Sequence, residues 1–249
     1  MRKNILQQND LIPTRLLKKS EREAIPDRRP TFIRIRFPYV MLKLILLFLG
    51  DLYLKLIGKP LSARNERKRR IIESLNRVWI AVAQALTLRG GMLASDLGMQ
   101  LINLKDKGGK TPFPVMKKVV ETELNCPLDT VFDHFEEIPF SATSLAQIHL
   151  AKLKKEQAWV AVKIHQPNAE KLYEKDLKIL NRIGKILSFF SIQTNMRWEE
   201  LYAELCDIKE KELNYYYEAA ALNQLDSNLS GLQVHVPRLY KAHCRKRVL

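Results

Sequence analysis

Lys163 closes the run Val160-Ala161-Val162-Lys163, and Glu218 follows 55 residues later within Glu212-Leu213-Asn214-Tyr215-Tyr216-Tyr217-Glu218-Ala219. A lysine on a short apolar strand and a carboxylate on a later helix suit polyphosphate chemistry. The ammonium supplies fixed positive charge to phosphate oxygens, and the carboxylate keeps the flexible lysine aimed. Upstream lies a small-residue loop running into a strand, Phe140-Ser141-Ala142-Thr143-Ser144-Leu145-Ala146-Gln147-Ile148. Singly, a strand lysine or a helical acid has no special meaning. Together with the loop they define a pocket for a nucleotide.

Positioning these groups takes a sheet, a turn and a helix. Residues 144 to 153 alternate as a strand, Lys154-Lys155-Glu156-Gln157 is turn-like, and 159 to 164 form a second strand, giving an antiparallel pair. Pro167 opens a helix through Leu172, Leu177, Leu180, Ile183 and Leu187. Residues 198 to 225 read as one longer helix that carries Glu218. The neighbouring Tyr215, Tyr216 and Tyr217 face different directions on a helix, so packing suits them better than stacking on bases. Short helices are expected over 113 to 125 and 128 to 135. Earlier, Ile71, Ile72, Leu75, Val78, Trp79, Val82 and Leu86 lie along one helical stripe, broken by Gly90-Gly91, and a second helix runs from about Ala94 to Leu104. Gly108-Gly109-Lys110-Thr111 has the tail of a phosphate loop. Leu104 stands where its first glycine belongs and Pro112 where its helix should begin, so it reads as a plain loop.

The order of these features resembles the N-lobe of a protein kinase, and more closely the UbiB (AarF) family of atypical kinases. In that family an Ala-rich loop replaces the glycine-rich one, as Phe140 to Ile148 does here, before Ala-Gln-Ile-His and Val-Ala-Val-Lys. Gln84-Ala85-Leu86-Thr87-Leu88-Arg89, Leu104-Lys105-Asp106, Pro112-Phe113-Pro114, Glu121-Thr122-Glu123-Leu124 and Gln166-Pro167 follow the family layout. Val236 to Tyr240 and Lys246 to Leu249 resemble the two strands leading to the hinge. The resemblance implies ATP as cofactor, Lys163 on its phosphates, Glu218 orienting Lys163, and the loop from Phe140 to Ile148 covering the nucleotide. Two departures stand out. Ala81 and Ala83 replace the lysine and glycine of the family's Lys-x-Gly-Gln, leaving Gln84, and its Glu-x-Asp reads Glu212-Leu213-Asn214. Neither a His-Arg-Asp nor an Asp-Phe-Gly motif occurs up to Leu249. No catalytic residue and no metal ligand is therefore assigned, Mg²⁺ is expected only if a C-lobe is supplied, for which a separate polypeptide is one partner to expect, and the chain reads as truncated.

The expected fold is α+β: a helical extension packed on a small antiparallel sheet with helices, the C-lobe absent. The expected segments are a basic, partly apolar arm at 1–60, a helical extension at 61–138 and the kinase-like lobe at 139–249. A net charge of +15 is concentrated in residues 1–70, which hold 18 Lys/Arg against 6 Asp/Glu. Such an arm suits an anionic partner surface. Nucleic acid is the weakest choice, since no nucleic-acid-binding motif accompanies the charge. Three dispersed cysteines argue against a disulfide framework or zinc site. Residues 39 to 57 are apolar apart from Lys43, Gly50, Asp51 and Lys55, and Gly58-Lys59-Pro60 ends the run. Charges at both Lys43 and Asp51 favour a helix in the membrane interface over a spanning one. Burial against the kinase-like domain is the equal alternative. Met1-Arg2-Lys3 is followed by polar residues, which gives no signal-peptide pattern. The resemblance places the protein peripherally on the cytoplasmic side of a membrane, in quinone or isoprenoid-lipid metabolism with a prenyl lipid as a possible partner. The alternative is a non-catalytic regulatory or lipid-binding module.

Overall fold

The structure, a computed structural model, describes residues 33–75, 77–89, 95–104, 106, 108–189, 198–232 and 234–249. They form two units that interleave along the chain: one takes 108–169 and 211–249, the other the described parts of 30–107 and 170–210. The consecutive division expected at 60 and 138 is thus not the one the contacts make. Residues 108–138 join the sheet, and the helices of 170–210 join the preceding helical segment.

The helical unit begins with a 3₁₀ turn, Ile33–Ile35, and α1, Arg36–Leu56. Gly58 stops α1 with a φ of 71°, a left-handed conformation that glycine adopts without a Cβ clash. Next come α2 (Leu61–Glu73), α3 (Arg77–Arg89) and α4 (Asp96–Ile102). The single stripe expected over Ile71 to Leu86 is therefore two helices, since the Ser74 N–H closes α2 on the Arg70 and Ile71 carbonyls and the Leu75 N–H on that of Ile72. Ser95 caps α4 by accepting from the Gly98 N–H. A core of Ile80, Ala83, Leu101 and Leu104 locks α3 to α4. The basic run Arg67 to Arg70 is largely consumed locally: Lys68 pairs with Asp51, Arg69 with Glu66 and Glu73, and Arg70 with Glu66.

The sheet unit contains α5 (Phe113–Leu124), α6 (Leu128–Val131), β1 (Phe132–Phe135), β2 (Ser141–Ala142), β3 (Ala146–Leu153) and β4 (Trp159–His165). All pairings are antiparallel. β4 runs along β3, with Ile148 opposite Lys163, while β1 and β2 pair with opposite ends of β3. Phe132 to Phe135 is thus a strand and not the end of a helix. Lys154 to Gln157 makes the expected turn, with Gln157 at a φ of 51°. One face of the sheet packs on α5 through Met116, Val119, Val120, Ala151, Leu153, Val162 and Ile164.

The remaining helices are α7 (Ala169–Phe189) and α8 (Trp198–Glu212) in the helical unit, and α9 (Tyr215–Asn228) in the sheet unit. The single helix expected over 198 to 225 is broken at Asn214. That residue leaves helical geometry and its side-chain oxygen accepts from the Tyr216 N–H, capping α9. The C-terminal residues add a further ladder: Lys163 N–H donates to Leu249 O at 2.8 Å, Leu249 N–H returns to Lys163 O at 2.9 Å, and His165 N–H reaches Arg247 O at 3.0 Å. Residues 236 to 240, expected as a strand, have no regular structure, and a 3₁₀ turn follows at Lys241–His243.

Candidate nucleotide site

Strand alternation decides which side chains meet. Successive residues of a strand point to opposite faces. Val160, Val162 and Ile164 therefore turn to the α5 side, and Ala161, Lys163 and His165 turn to the other. On α9, Tyr215 and Glu218 are three apart and share a face, to which Leu222 also belongs. The two rows come together within the sheet unit. Lys163 Nζ lies 2.8 Å from Glu218 Oε1 and 2.6 Å from Oε2. Their side chains are 31% and 39% exposed, so the pair is open to an incoming ligand. Beneath it the Tyr215 ring sits 5.0 Å from Nζ and 3.9 Å from the His165 ring centroid. Tyr215 is buried, whereas Tyr216 and Tyr217 are half exposed, so packing holds only for the first of the three.

The ion pair lines a groove of about 630 Å³, as do Ile148, Ala161, Leu222 and Leu249. That volume is in the range of small-molecule sites. Among residues 140 to 148, Ile148 lines the groove. Ser144, Ala146 and Gln147 are buried. Alternation explains why: Ile148 is paired with Lys163 and shares its face, and Gln147 must point away. Phe140, Ser141, Ala142, Thr143 and Leu145 are partly exposed along the approach to β3. The Thr143 hydroxyl accepts from the N–H groups of Leu145 and Ala146, at 3.3 and 3.0 Å. The turn thereby satisfies two of its own donors.

The other family positions have local roles. Gln84 donates to the carbonyls of Ile102 and Leu104 at 3.2 and 3.3 Å, tying α3 to the end of α4. Asn214 is the cap of α9, and Glu212, half-buried, ends α8. An amide serves in place of the carboxylate because capping needs only an acceptor oxygen. Tyr215, absent from the sequence-derived site, was legible as the residue three before Glu218. Among the described residues no group of three or more His, Cys, Asp or Glu side chains is placed to hold a metal ion.

Burial, helped by the Arg247, Lys163 and Lys246 cations, pushes the His165 imidazole down to about 4. Burial lowers His149 as well. Both rings are therefore neutral in the folded chain at neutral pH, while the unfolded chain takes up protons below about 6.5. Stability is full above that value and falls as the pH drops toward about 4, by up to about 3 kcal/mol for His165. Urea unfolding at a series of pH values measures the slope, and His165→Gln is expected to flatten it. An unchanged slope in the variant would remove His165 from the account.

The family model of the ABC1 atypical kinase-like domain matches residues 103–249. The chain belongs to this UbiB-type atypical kinase-like family. It is 31% identical to the "Probable protein kinase UbiB" of Aeromonas hydrophila subsp. hydrophila over 188 residues, covering 75% of this chain and 34% of that protein. It is likewise 31% identical over 193 residues to the protein of that name from Aeromonas salmonicida, covering 77% and 35%. The chain thus spans about a third of the length of these curated relatives. The solved Rv3197–erythromycin complex from Mycobacterium tuberculosis aligns at 19% identity with a TM-score of 0.48, over 85% of this chain and 49% of that one.

Proposed function

We propose that the sheet unit is the ATP-binding N-lobe of a UbiB-type atypical kinase or ATPase-like protein. The observation that carries this reading is the Lys163–Glu218 ion pair, partly exposed in the wall of the groove. Lys163 would take the phosphates, Glu218 would hold Lys163 against rotation, and Ala161, Ile148 and Leu249 would offer apolar surface to the base. Bound ATP would supply the transferable phosphoryl group. Mg²⁺ would need ligands beyond the groups seen here. The chain alone is therefore expected to bind nucleotide weakly and to turn none over.

The test is a nucleotide titration followed by thermal shift. ATP at ten times its Kd should stabilise the chain by about 1.4 kcal/mol. Lys163→Ala should remove the shift while leaving the melting temperature of the free chain within a degree or two, because the lysine is partly solvated. An equal shift in the variant would place the nucleotide elsewhere, and robust turnover abolished by Lys163→Ala would mean that catalytic groups lie in this chain.

A second reading concerns location. α1 is long and apolar enough to cross a bilayer, and it is largely exposed, unlike the buried core helix of a soluble protein. We place it in the interface of an anionic membrane, peripherally on the cytoplasmic side, where the protein would serve quinone or isoprenoid-lipid metabolism with a prenyl lipid as partner. A regulatory lipid-binding module with no catalysis is compatible with the same surface. Nucleic acid has no support beyond charge.

A further inference from the structure

On the sheet face opposite Lys163 lies a buried polar cluster, an unexpected neighbour for the aliphatic core. Gln147, His149 and Gln166 are fully enclosed and Thr111 is nearly so. The Thr111 hydroxyl donates to Gln166 Oε1 at 2.6 Å. Gln166 Nε2 lies within reach of Gly109 O at 3.2 Å, Thr143 O at 3.3 Å and Gln147 Oε1 at 3.1 Å. The Thr111 N–H also donates to Gln147 Oε1. Gln147 Nε2 points at Thr111 O and at His149 Nε2, and His149 Nδ1 donates to Glu136 O at 2.8 Å. That last bond places the proton on Nδ1 and leaves Nε2 as the acceptor for Gln147. Each member thus has partners, the condition under which a buried polar network rigidifies its surroundings.

Two strands of observation show what the network holds. The Gln166 backbone N–H donates to Leu145 O at 2.7 Å, so Gln166 grips the loop at Thr143 through its side chain and at Leu145 through its main chain. Gly108 lies directly on the same turn. A Cβ built there would fall 1.9 Å from the Thr143 carbonyl carbon and 2.4 Å from Ser144 N. Only glycine permits that approach, and it needs a fixed loop beneath it. The segment 108–111 is thus laid across the turn that precedes β3 and fastened there by residues 36 and 55 positions away.

We infer that Thr111, Gln147 and Gln166 form a latch that positions the loop from Phe140 to Leu145 for nucleotide binding. This rests on the ATP-binding reading of the Lys163 groove. None of the three lines that groove; they act through the loop, and are positioning residues. With two of its N–H groups satisfied by Thr143, the turn enters β3 in a set conformation, just ahead of Ile148, which lines the groove. Freeing it charges each binding event with the entropy of ordering the loop again.

The experiment uses the 249-residue chain, with Thr111→Val, which keeps the shape and removes the donor, and Thr111→Ser, which keeps the donor. Hydrogen exchange comes first and needs no ligand. In Thr111→Val the amides of Thr143, Leu145 and Ala146 should exchange about tenfold faster or more, as local opening becomes easier. Those of Val162 and Ile164 should be unchanged, and Thr111→Ser should restore the loop. No change at the loop, or a uniform rise across the sheet, overturns the latch. Titration with a fluorescent ATP analogue comes second: Thr111→Val should bind about five- to tenfold more weakly, the cost of ordering about one residue. Equal or tighter binding overturns the positioning role. If wild type and Lys163→Ala both fail to bind while the exchange result holds, the nucleotide reading has failed and the latch has not. Should Thr111→Val not fold, Gln166→Glu, which retains an acceptor but loses the amide donors that reach Gly109 O, Thr143 O and Gln147 Oε1, is read in the same way.

Discussion

Arg36→Met is expected to destabilise the helical unit by about 3–5 kcal/mol, the cost of leaving a buried carboxylate without its counter-charge. Arg36 lies at the start of α1 and Asp176 on α7, 140 residues apart. Their side chains are 5% and 1% exposed. The pair is bidentate, with Nε to Oδ1 at 2.7 Å and Nη2 to Oδ2 at 2.6 Å, and Nη2 also donates to Leu75 O at 2.6 Å. Burial pushes the Asp176 carboxyl up although Arg36 pulls it down, so desolvation outweighs the attraction. Taken whole, such a pair adds little to stability; cut in half, it leaves an expensive remnant. The double variant Arg36→Met/Asp176→Leu should therefore recover most of the loss. Chemical denaturation of the four proteins completes the cycle. A single-variant cost below about 1 kcal/mol, well short of the range for a broken buried pair, or a double variant no better than the single, would show that the two groups do not depend on each other.

What could be read in the sequence follows the range over which the physics acts. The β3–β4 hairpin was legible because alternation and a polar turn are local, and Lys163 came with it. Glu218 was legible as chemistry, but its helix was not: apolar spacing ran unbroken from Trp198, and only the capping bond of Asn214 separates α8 from α9. Phe132-Asp133-His134-Phe135 reads in sequence as the end of a helix because four residues carry no period of their own. It becomes a strand by pairing with Ala151 to Leu153, a tertiary choice. The stretch Phe140 to Ile148 was visible as a loop, yet which of its residues face the groove depends on the β3 register. Thr111, Gln147 and Gln166 each stood within a separate motif of the sequence, and residues scattered over three segments announce no network. The same holds for Arg36 and Asp176.

The second large effect is expected at the membrane. Phe48, Leu49, Leu52 and Leu56 form a stripe along α1, 71%, 55%, 46% and 77% exposed. Monomeric soluble proteins seldom leave so large a contiguous apolar surface in water. Asp51, the acid that would oppose insertion, is clamped by α2: Arg64 lies 2.7 Å and Lys68 3.1 Å from its carboxylate, and their hydrogen bonds hold it down at about 2. The α1–α2 hairpin thereby neutralises its own negative charge and leaves Arg34, Lys55 and Lys59 exposed near the two ends of α1. Each Phe or Leu moved from water into the acyl boundary contributes about 1.5–3 kcal/mol, and each basic residue near an anionic surface about 1 kcal/mol. Phe48→Glu/Leu52→Glu should accordingly abolish co-sedimentation with phosphatidylserine vesicles while leaving the helical circular dichroism unchanged. These substitutions spare Arg36, whose loss would destabilise the unit and confuse the result. Salt should weaken binding of the parent chain by screening its basic residues. Binding that survives the double substitution but vanishes in salt would mean adsorption by charge alone. Retention of helix structure together with loss of binding in both tests would establish that the apolar stripe and the flanking cations act together.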